Sequence, residues 1–244
     1  MFKKILFISD NIYLCKRLKP IIEPLIGKIS VNFSTSPFSD SKAFSEELKE
    51  PVFIYNLKDI DDINLILERY DLIISIHCKQ IFPNTLIDNL KCINIHPGYN
   101  PINRGWYPQV FSINYDLPVG ATIHEIDYEL DNGPIIAREF VTKQMFDTSE
   151  TLYNKILDKE IELFEKHINS IVSNEYTTVV PENRGNLFLK KDFNKLCEID
   201  LNENLKMSQC IDRLRALTHG QLKNAYFIDN ETNQKVYVSI NFSR

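Results

Sequence analysis

The stretch Leu72-Ile73-Ile74-Ser75-Ile76 is a nearly continuous run of apolar, mostly β-branched side chains. A short run of this kind is typical of a strand that is buried on both faces of a sheet. Further strands are predicted around it, at 4–9, 29–33, 52–55 and 92–95. The segments between them favour helices, at 61–69, at 83–90 and, interrupted by Pro20 and Pro24, at 15–26. This alternation predicts a parallel sheet with helices on both of its faces.

After residue 108 the order of the elements changes. A predicted helix at 109–115 is followed by two strands at 121–126 and 134–141, which form a hairpin-like unit that extends the sheet. A long helix is predicted at 150–171, because its apolar residues follow the 3.6-residue period. The predicted fold class is therefore α/β, with a doubly wound, mainly parallel (Rossmann-like) sheet.

The chain is predicted to have three parts. Residues 1–175 hold the sheet and form the catalytic domain, and residues 176–186 are a polar linker. Residues 187–244 form a small α+β appendage, with strand-like segments at 187–189, 225–228 and 236–240 and a helix at 207–217. A chain of 244 residues is long enough for one large core with such an appendage.

Composition narrows the classes of function. Hydrophobic residues make up 43% of the chain and charged residues 25%, and the net charge is −5, so we expect a globular protein that binds no nucleic acid. No apolar run approaches the roughly 20 residues that cross a bilayer. The apolar start of the chain ends at Ser9-Asp10-Asn11 without a cleavage site, which favours strand one of a cytoplasmic protein without a membrane partner.

Several kinds of chemistry lack their sequence signals. The five cysteines form no C-x-x-C pair, and the histidines match no short zinc signature, so neither a disulfide framework nor a metal is expected. No glycine-rich dinucleotide loop, P-loop or G-x-S-x-G nucleophile elbow is present. Ser9-Asp10-Asn11, at the end of strand one, is equally suited to holding a substrate and to capping the next helix.

The stretch Ile93-Asn94-Ile95-His96-Pro97-Gly98 combines an amide and an imidazole. Asn94 and His96 point to the same face of a strand, and Pro97-Gly98 ends that strand behind them. Asp131, at a second turn, can supply a carboxylate. An amide donor, an imidazole and a carboxylate suit acyl transfer to a nucleophile that arrives with its substrate.

Four motifs in order resemble the N10-formyltetrahydrofolate-dependent formyltransferases. They are Ile93-Asn94-Ile95-His96-Pro97, Arg104-Gly105, Val119-Gly120-Ala121-Thr122-Ile123-His124, and Leu130-Asp131-Asn132-Gly133-Pro134-Ile135-Ile136. The resemblance is good over about residues 70–142 and looser in the N-terminal strands. It departs from the family at Gly98-Tyr99-Asn100-Pro101, where Ser-Leu-Leu-Pro is usual, in a loop that the resemblance implies to face the acceptor.

The resemblance implies roles for individual residues. Asn94, His96 and Asp131 become the catalytic residues, with N10-formyltetrahydrofolate as formyl donor and no metal. Contacts to the folate are implied for Ile76, Cys78, Ile81, Phe82, Gly120, Thr122 and Asp127. Contacts to the acceptor are implied for Asn11, His77, Lys79, Arg104, Gly105, Trp106, Tyr107, Gln109 and Tyr226. Packing in the core is an equally good interpretation of Trp106.

The acceptor amine is expected to be a sugar nucleotide. The segments 76–83, 211–220 and 224–227 resemble sugar-nucleotide N-formyltransferases, which implies the 4-amino group of a dTDP-linked 4-amino-4,6-dideoxy sugar and a role in surface polysaccharide (O-antigen) synthesis. Glycinamide ribonucleotide and methionyl-tRNA stay open as acceptors, as do formyl hydrolysis and a non-catalytic binding module. Residues 187–244 hold nine Lys and Arg against seven Asp and Glu, which is weak for binding tRNA. A homodimer is possible.

Overall fold

The computed structural model describes residues 1–243, and its strands confirm the predicted α/β fold. The strands are β1 (Lys4–Ser9), β2 (Ser30–Thr35), β3 (Val52–Ile54), β4 (Leu72–Ile76), β5 (Lys91–His96), β6 (Arg104–Gly105), β7 (Gly120–Glu125), β8 (Ile135–Phe140), β9 (Leu187–Phe188), β10 (Tyr226–Ile228) and β11 (Lys235–Tyr237). Seven of them form one sheet in the order β3-β2-β1-β4-β5-β7-β8. Five are parallel, and the hairpin β7–β8 adds two antiparallel strands at one edge.

Helices cover both faces of this sheet. They are α1 (Ile12–Ile22), α2 (Ser41–Leu48), α3 (Ile60–Arg69), α4 (Asn84–Asn89), α5 (Pro108–Asn114), α6 (Ser149–Ser173), α7 (Lys190–Cys197) and α8 (Met207–Leu217). Helices α1, α2 and α6 bury apolar side chains on one face, and α3 and α4 do so on the other. Because both faces are covered, all five residues of β4 are buried, as its sequence predicts.

Three helices differ from the prediction. Helix α1 continues through Pro20 to Ile22, because a proline so close to the helix end removes few backbone hydrogen bonds. Helix α2 was not predicted, although Asp40 caps it by accepting hydrogen bonds from the backbone N–H groups of Lys42 and Ala43 at 3.0 and 3.2 Å. Helix α7 was also not predicted.

Among residues 1–243, no helix is long and apolar enough to span a membrane.

The segment 176–186, predicted as a linker, lies against the catalytic part of the chain. Val179 pairs with Ile135 on β8 through two backbone hydrogen bonds of 2.9 and 2.8 Å. Asn186 then donates its N–H to the Pro101 carbonyl and accepts from the Arg104 N–H, each at 3.1 Å. The segment therefore adds a contact to the edge of the sheet and reaches the loop that follows β5.

Candidate active site

The carboxyl ends of three neighbouring parallel strands bring together polar side chains. Asn11 lies two residues beyond β1, His77 follows β4, and His96 is the last residue of β5. Strands β1 and β4 are neighbours in the sheet, while the chain leaves them toward opposite sides. In an open α/β sheet, a crevice forms at such a switch point beyond the strand ends, and ligands bind there.

Asn94, His96 and Asp131, which the sequence predicts to be catalytic, lie together, and Asp131 links the other two. The Asn94 side-chain amide donates to Asp131 Oδ1 at 3.1 Å, and His96 Nδ1 lies 3.5 Å from Asp131 Oδ2. The backbone N–H of Gly105 donates to the same Oδ2 at 3.0 Å. Asp131 itself has a left-handed backbone, with φ of 49°, which turns its side chain back toward β5. The structure thus gathers an amide, an imidazole and a carboxylate.

The environment of Asp131 keeps it ionised. Burial alone would raise the pKa of this carboxyl group, but the neighbouring His96 and His124 and the Gly105 N–H outweigh it and hold the pKa below its ordinary value. Both carboxylate oxygens already accept hydrogen bonds. Asp131 is therefore suited to holding charge and orientation at the site, and it is poorly suited to accepting a proton.

His96 is held in one orientation by its surroundings. Its Nε2 lies 2.8 Å from the carbonyl oxygen of Asn103, so this nitrogen carries a proton and donates it to that oxygen. A Cβ at Gly98 would lie 2.5 Å from the same Nε2, so only glycine leaves room for the ring. Burial lowers the pKa of His96, while Asp131 and the Asn103 carbonyl oppose that shift.

His124 also belongs to this cluster, although it was not among the predicted site residues. It pairs with Asn94 across β5 and β7, and its Nε2 lies 3.3 Å from the Asn94 amide nitrogen. The same Nε2 is 3.6 Å from Asp131 Oδ1. Its Nδ1 lies 2.7 Å from the carbonyl oxygen of Glu125, so Nδ1 carries the proton and Nε2 can accept from Asn94. The sequence alone could not place His124 in the cluster, because its position depends on the antiparallel register of β5 and β7.

A cavity of about 230 Å³ opens beside Asn94 and Asp131. Its walls combine apolar side chains with a few polar groups, as is usual for small-molecule sites. The lining residues are Ser75, Cys78, Gln80, Ile81, Phe82, Asn94, His124, Ile126, Asp127, Tyr128, Glu129, Leu130 and Asp131. Among residues 1–243, no group of three or more His, Cys, Asp or Glu side chains could hold a metal ion.

Comparison with known proteins identifies the family. The model of the formyl transferase family matches residues 57–168, and that of the N-formyltransferase dimerization C-terminal domain matches residues 192–244. The dTDP-4-amino-4,6-dideoxyglucose formyltransferase of Mycobacterium tuberculosis is 50% identical over 175 residues, which cover 72% of this chain and 74% of that protein. The chain belongs to the sugar N-formyltransferases. It is an enzyme of formyl transfer.

Solved formyltransferase structures share the fold. A 4-N formyltransferase from Francisella tularensis is 41% identical, with a TM-score of 0.92 over 99% of this chain and 98% of that one. A formyltransferase from Anoxybacillus kamchatkensis, in complex with UDP-4,6-dideoxy-4-formamido-L-AltNAc and tetrahydrofolate, is 27% identical, with a TM-score of 0.61 over 79% and 88% of the two chains. The doubly wound sheet and the C-terminal region are thus formyltransferase features.

The residues predicted to contact folate fall into two groups. Cys78, Ile81, Phe82 and Asp127 line the cavity. The other three lie outside its lining: Ile76, Gly120 and Thr122 are buried in β4 and β7. The Thr122 hydroxyl donates to the Gly98 carbonyl at 2.7 Å and accepts from the Asn100 N–H at 3.0 Å. Thr122 therefore supports the loop that follows His96.

Asn11, His77 and Lys79 were predicted to contact the acceptor, and they lie together at the strand ends. The Asn11 side-chain oxygen caps α1 by accepting the Leu14 N–H at 3.1 Å, while its amide nitrogen faces His77 Nδ1 at 3.3 Å. Asn11 therefore serves as a cap and also presents a donor. The Lys79 side chain is exposed, and its backbone N–H donates to Asp10.

The loop from Arg104 to Tyr107 departs from the prediction in part. Arg104 is buried and donates to the Asn132 side chain at 2.8 Å, so it orders the loop that carries Asp131. Gly105 contacts Asp131 through its N–H. Trp106 is 38% exposed, which contradicts packing in the core, and Lys190 lies 5.7 Å from its ring centre. Tyr107 stacks obliquely on Phe193 with ring centres 4.2 Å apart.

The remaining two predicted acceptor contacts lie in buried or C-terminal positions. Gln109 is buried on α5, and its amide donates to the Ser149 hydroxyl at 3.3 Å. Tyr226 lies on β10, and its hydroxyl donates to Glu198 at 3.1 Å. Arg215, on α8, is buried and donates to the carbonyl of Asp147 at 2.9 Å. It attaches α8 to the catalytic part of the chain.

Proposed function

We propose that this enzyme moves the formyl group of N10-formyltetrahydrofolate to the 4-amino group of a dTDP-linked 4-amino-4,6-dideoxy sugar, with dTDP-4-amino-4,6-dideoxyglucose as acceptor. The cluster of Asn94, His96, His124 and Asp131 beside the cavity carries the chemistry. The acceptor rests on the half-identical Mycobacterium tuberculosis relative.

The cavity fits a folate. Ile81, Phe82 and Ile126 offer apolar walls for a flat ring, and Asp127 offers a carboxylate for its polar edge. Asn94 and Asp131 lie at the other side of the same lining. When bound, the folate supplies the formyl group. The resemblance of the motifs and the folate in the Anoxybacillus complex support this assignment.

Three side chains would stabilise the transfer. Asn94 can turn the N–H that faces His124 toward the formyl oxygen, and a preorganised donor of this kind lowers a barrier by roughly 3 kcal/mol. His96 lies beside the same position and can stabilise the oxyanion or carry a proton. Asp131 fixes both groups and balances the charge that builds on His96.

We further propose that two copies associate through the C-terminal region. The matched family domain is named for dimerization. Val236 and Tyr237 on β11 are 39% and 46% exposed, and Phe242, further along the chain, is 37% exposed. Exposed apolar side chains of this kind are available to an interface. A place in surface polysaccharide synthesis and a location in the cytoplasm remain parts of the proposal that rest on the resemblance.

The deciding experiment mixes the protein with 10-formyltetrahydrofolate and dTDP-4-amino-4,6-dideoxyglucose and follows the mass of the sugar nucleotide. We expect the formylated sugar, and no product with His96→Ala. Turnover of glycinamide ribonucleotide or methionyl-tRNA instead would disprove the acceptor while preserving the chemistry. Release of formate without any acceptor would show a hydrolase.

A further inference from the structure

The loop that follows β5 turns one side-chain amide inward, toward the turn that carries Asp131. Asn100 is 1% exposed, and its Nδ2 donates to the backbone carbonyl of Asp131 at 2.9 Å. The Ser-Leu-Leu-Pro sequence that is usual in the family places a leucine here, and leucine cannot donate a hydrogen bond. The contact therefore depends on the departure of this loop from the usual sequence.

The buried amide of Asn100 makes this one contact with its side chain. Its Oδ1 is also buried, and it has no hydrogen-bond partner within residues 1–243. An unsatisfied polar atom in the interior costs free energy, so an apolar side chain would suit packing alone better than asparagine does. The bond from Nδ2 to Asp131 is thus the contact that distinguishes asparagine from leucine at this position.

The main chain of Asn100 is fixed to the hairpin β7–β8. Its N–H donates to the Thr122 hydroxyl at 3.0 Å, and its carbonyl accepts a hydrogen bond from the Arg138 guanidinium. Thr122 also donates to the Gly98 carbonyl at 2.7 Å. Because these bonds hold the loop on both sides of its Cα, the sheet defines the direction of the Asn100 side chain.

The groups that hold Asn100 lie in the same row of the sheet as His96. His96 pairs with Thr122 across β5 and β7, and Thr122 pairs with Arg138 across β7 and β8. The Cα atoms of such antiparallel pairs lie about 4.5–5.5 Å apart. Asn100 therefore connects the row of His96 to the main chain of Asp131, whose Oδ2 lies 3.5 Å from His96 Nδ1.

Asp131 has a backbone conformation that needs support. Its φ of 49° lies in the left-handed region, where residues other than glycine are uncommon. Such a conformation costs energy and persists where the surrounding structure holds it in place. The bond from Asn100 acts on the Asp131 carbonyl, next to the Cα that carries the carboxylate, and so limits its rotation away from β5.

The turn at 130–132 also has contacts with β6. The Gly105 N–H donates to the carboxylate at 3.0 Å, and Arg104 donates to the Asn132 side chain at 2.8 Å. Strand β6 pairs with β9, outside the seven-stranded sheet. These contacts can keep the turn folded without Asn100, but they do not connect it to the row of His96.

We propose that Asn100 is a positioning residue for formyl transfer, and that its amide sets the distance between the Asp131 carboxylate and His96. This inference rests on the proposed function. The Asn100 side chain is enclosed by protein, so it acts on the rate through Asp131 and touches neither substrate. Displacing a group at a reacting centre by about 1 Å can slow a reaction by about 10²-fold.

The first test measures kcat and KM in Asn100→Leu and Asn100→Ala, which both lack the donor. We expect kcat to fall by about 10-fold to 10²-fold in each, because the carboxylate loses its placement. The KM values for the sugar nucleotide and for 10-formyltetrahydrofolate should stay near those of the wild type. A wild-type kcat in both variants, or a loss confined to KM, would overturn the inference.

Asn89→Leu is the matched control. The Asn89 amide also donates to a backbone carbonyl, that of Thr85, at 2.9 Å, but it lies at the exposed end of α4. The same substitution therefore removes the same kind of bond away from Asp131, and it should leave kcat unchanged.

A double variant tests whether Asn100 acts through Asp131. In an Asp131→Asn background, we expect Asn100→Leu to lower kcat by less than about 2-fold, because the carboxylate that it positions is already gone. A further loss as large as in the wild-type background would show that Asn100 acts independently of Asp131, which contradicts the inference.

A crystal structure of Asn100→Leu tests the geometry without any assay of activity. Asp131 Oδ2 should lie farther from His96 Nδ1 than 3.5 Å, with β5 and β7 in place. An unchanged distance would overturn the inference even if kcat falls. A wild type that formylates no amine would instead disprove the proposed function, and this distance would still decide whether Asn100 places Asp131. Thermal melting identifies a variant that does not fold, and Asn100→Ala then takes the place of Asn100→Leu.

Discussion

At the scale of single residues, the site depends on Asp131. Its carboxylate receives the Asn94 amide and the Gly105 N–H, and His96 and His124 lie within 3.6 Å of it. An ionised group at this position fixes an amide, two imidazoles and a loop at once. In the proposed reaction its contribution would be mainly electrostatic and geometric, since its oxygens have little capacity left for a proton.

Replacing Asp131 with Asn should therefore remove activity while preserving the fold. The amide would place an N–H where Asn94 or Gly105 now donates, so the cluster would lose its common acceptor. We expect kcat to fall by about 10²-fold to 10⁴-fold, with dTDP binding unchanged. Titration calorimetry with dTDP measures the binding. Asp158→Asn, on the exposed face of α6, is the control. Equal loss of binding would show that Asp131 holds the substrate.

Acid should destabilise the enzyme in part through His96. Its pKa in the folded state lies below the ordinary value of about 6.5, so the unfolded chain binds this proton more readily. His96 makes its full contribution to the free energy of unfolding when the pH is above the pKa that this side chain has in the unfolded chain. That contribution is lost as the pH falls through and below this value. We expect the melting temperature to decrease from pH 7.5 to pH 5.5, and to decrease less in His96→Gln. An equal slope in both proteins would contradict this.

At the scale of elements, the sequence predicted most strands because burial on both faces leaves a strong pattern. The apolar run of β4 and the polar end of β5 could both be located from the residues alone. The position of His124 could not be located in this way, because its contact with Asn94 depends on the antiparallel register of β5 and β7. His77 Nε2 likewise lies 2.9 Å from the Glu160 carboxylate, a contact that joins residues 83 positions apart and needs the packing of α6.

Helices α2 and α7 were not predicted because their sequences lack a clear helical pattern. Helix α2 has few apolar residues, and its start depends on the Asp40 cap, which the pattern of burial does not reveal. Helix α7 is short and polar, and its few apolar side chains pack against α5 and α8 in the C-terminal part of the core. Arg215 shows the same limit, since its guanidinium is buried against backbone carbonyls that are distant in sequence.

Helix α6, which carries Tyr153 and Glu160, begins at a capping box. Thr148 and Thr151 each bond the other's backbone N–H, at 3.0 and 3.4 Å. Thr148→Ala should lower stability by about 1 kcal/mol and the melting temperature by about 2–4 °C. Differential scanning calorimetry measures the shift. Thr142→Ala, at an exposed position outside any helix, should leave it unchanged.

At the scale of the whole molecule, the C-terminal region has a double role. Arg215 and the segment 176–186 attach it to the catalytic part, and its outer hairpin β10–β11 leaves apolar side chains exposed. One side of the region thus supports the site, while the other would face the second copy in the proposed dimer.

Light scattering should give a mass of two chains of 28.5 kDa each. Val236→Asp should shift this mass toward one chain, because it would bury an unpaired charge in the interface. Val180→Asp is the control, since Val180 is 71% exposed and lies outside the C-terminal region. A wild type that remains a single chain at high concentration would contradict the proposed dimer.

The pairing of β9 with β6 has a consequence for protein engineering. Gly105, whose N–H holds Asp131, lies against Phe188, and a Cβ at Gly185 would lie 2.0 Å from the Pro101 carbonyl. The chain leading into the C-terminal region is therefore part of the scaffold that holds the Asp131 carboxylate. A chimera that imports a foreign C-terminal region should be joined after residue 189, so that the native 176–189 segment stays with its own site. A junction placed before residue 176 would exchange the support of Asp131 together with the interface.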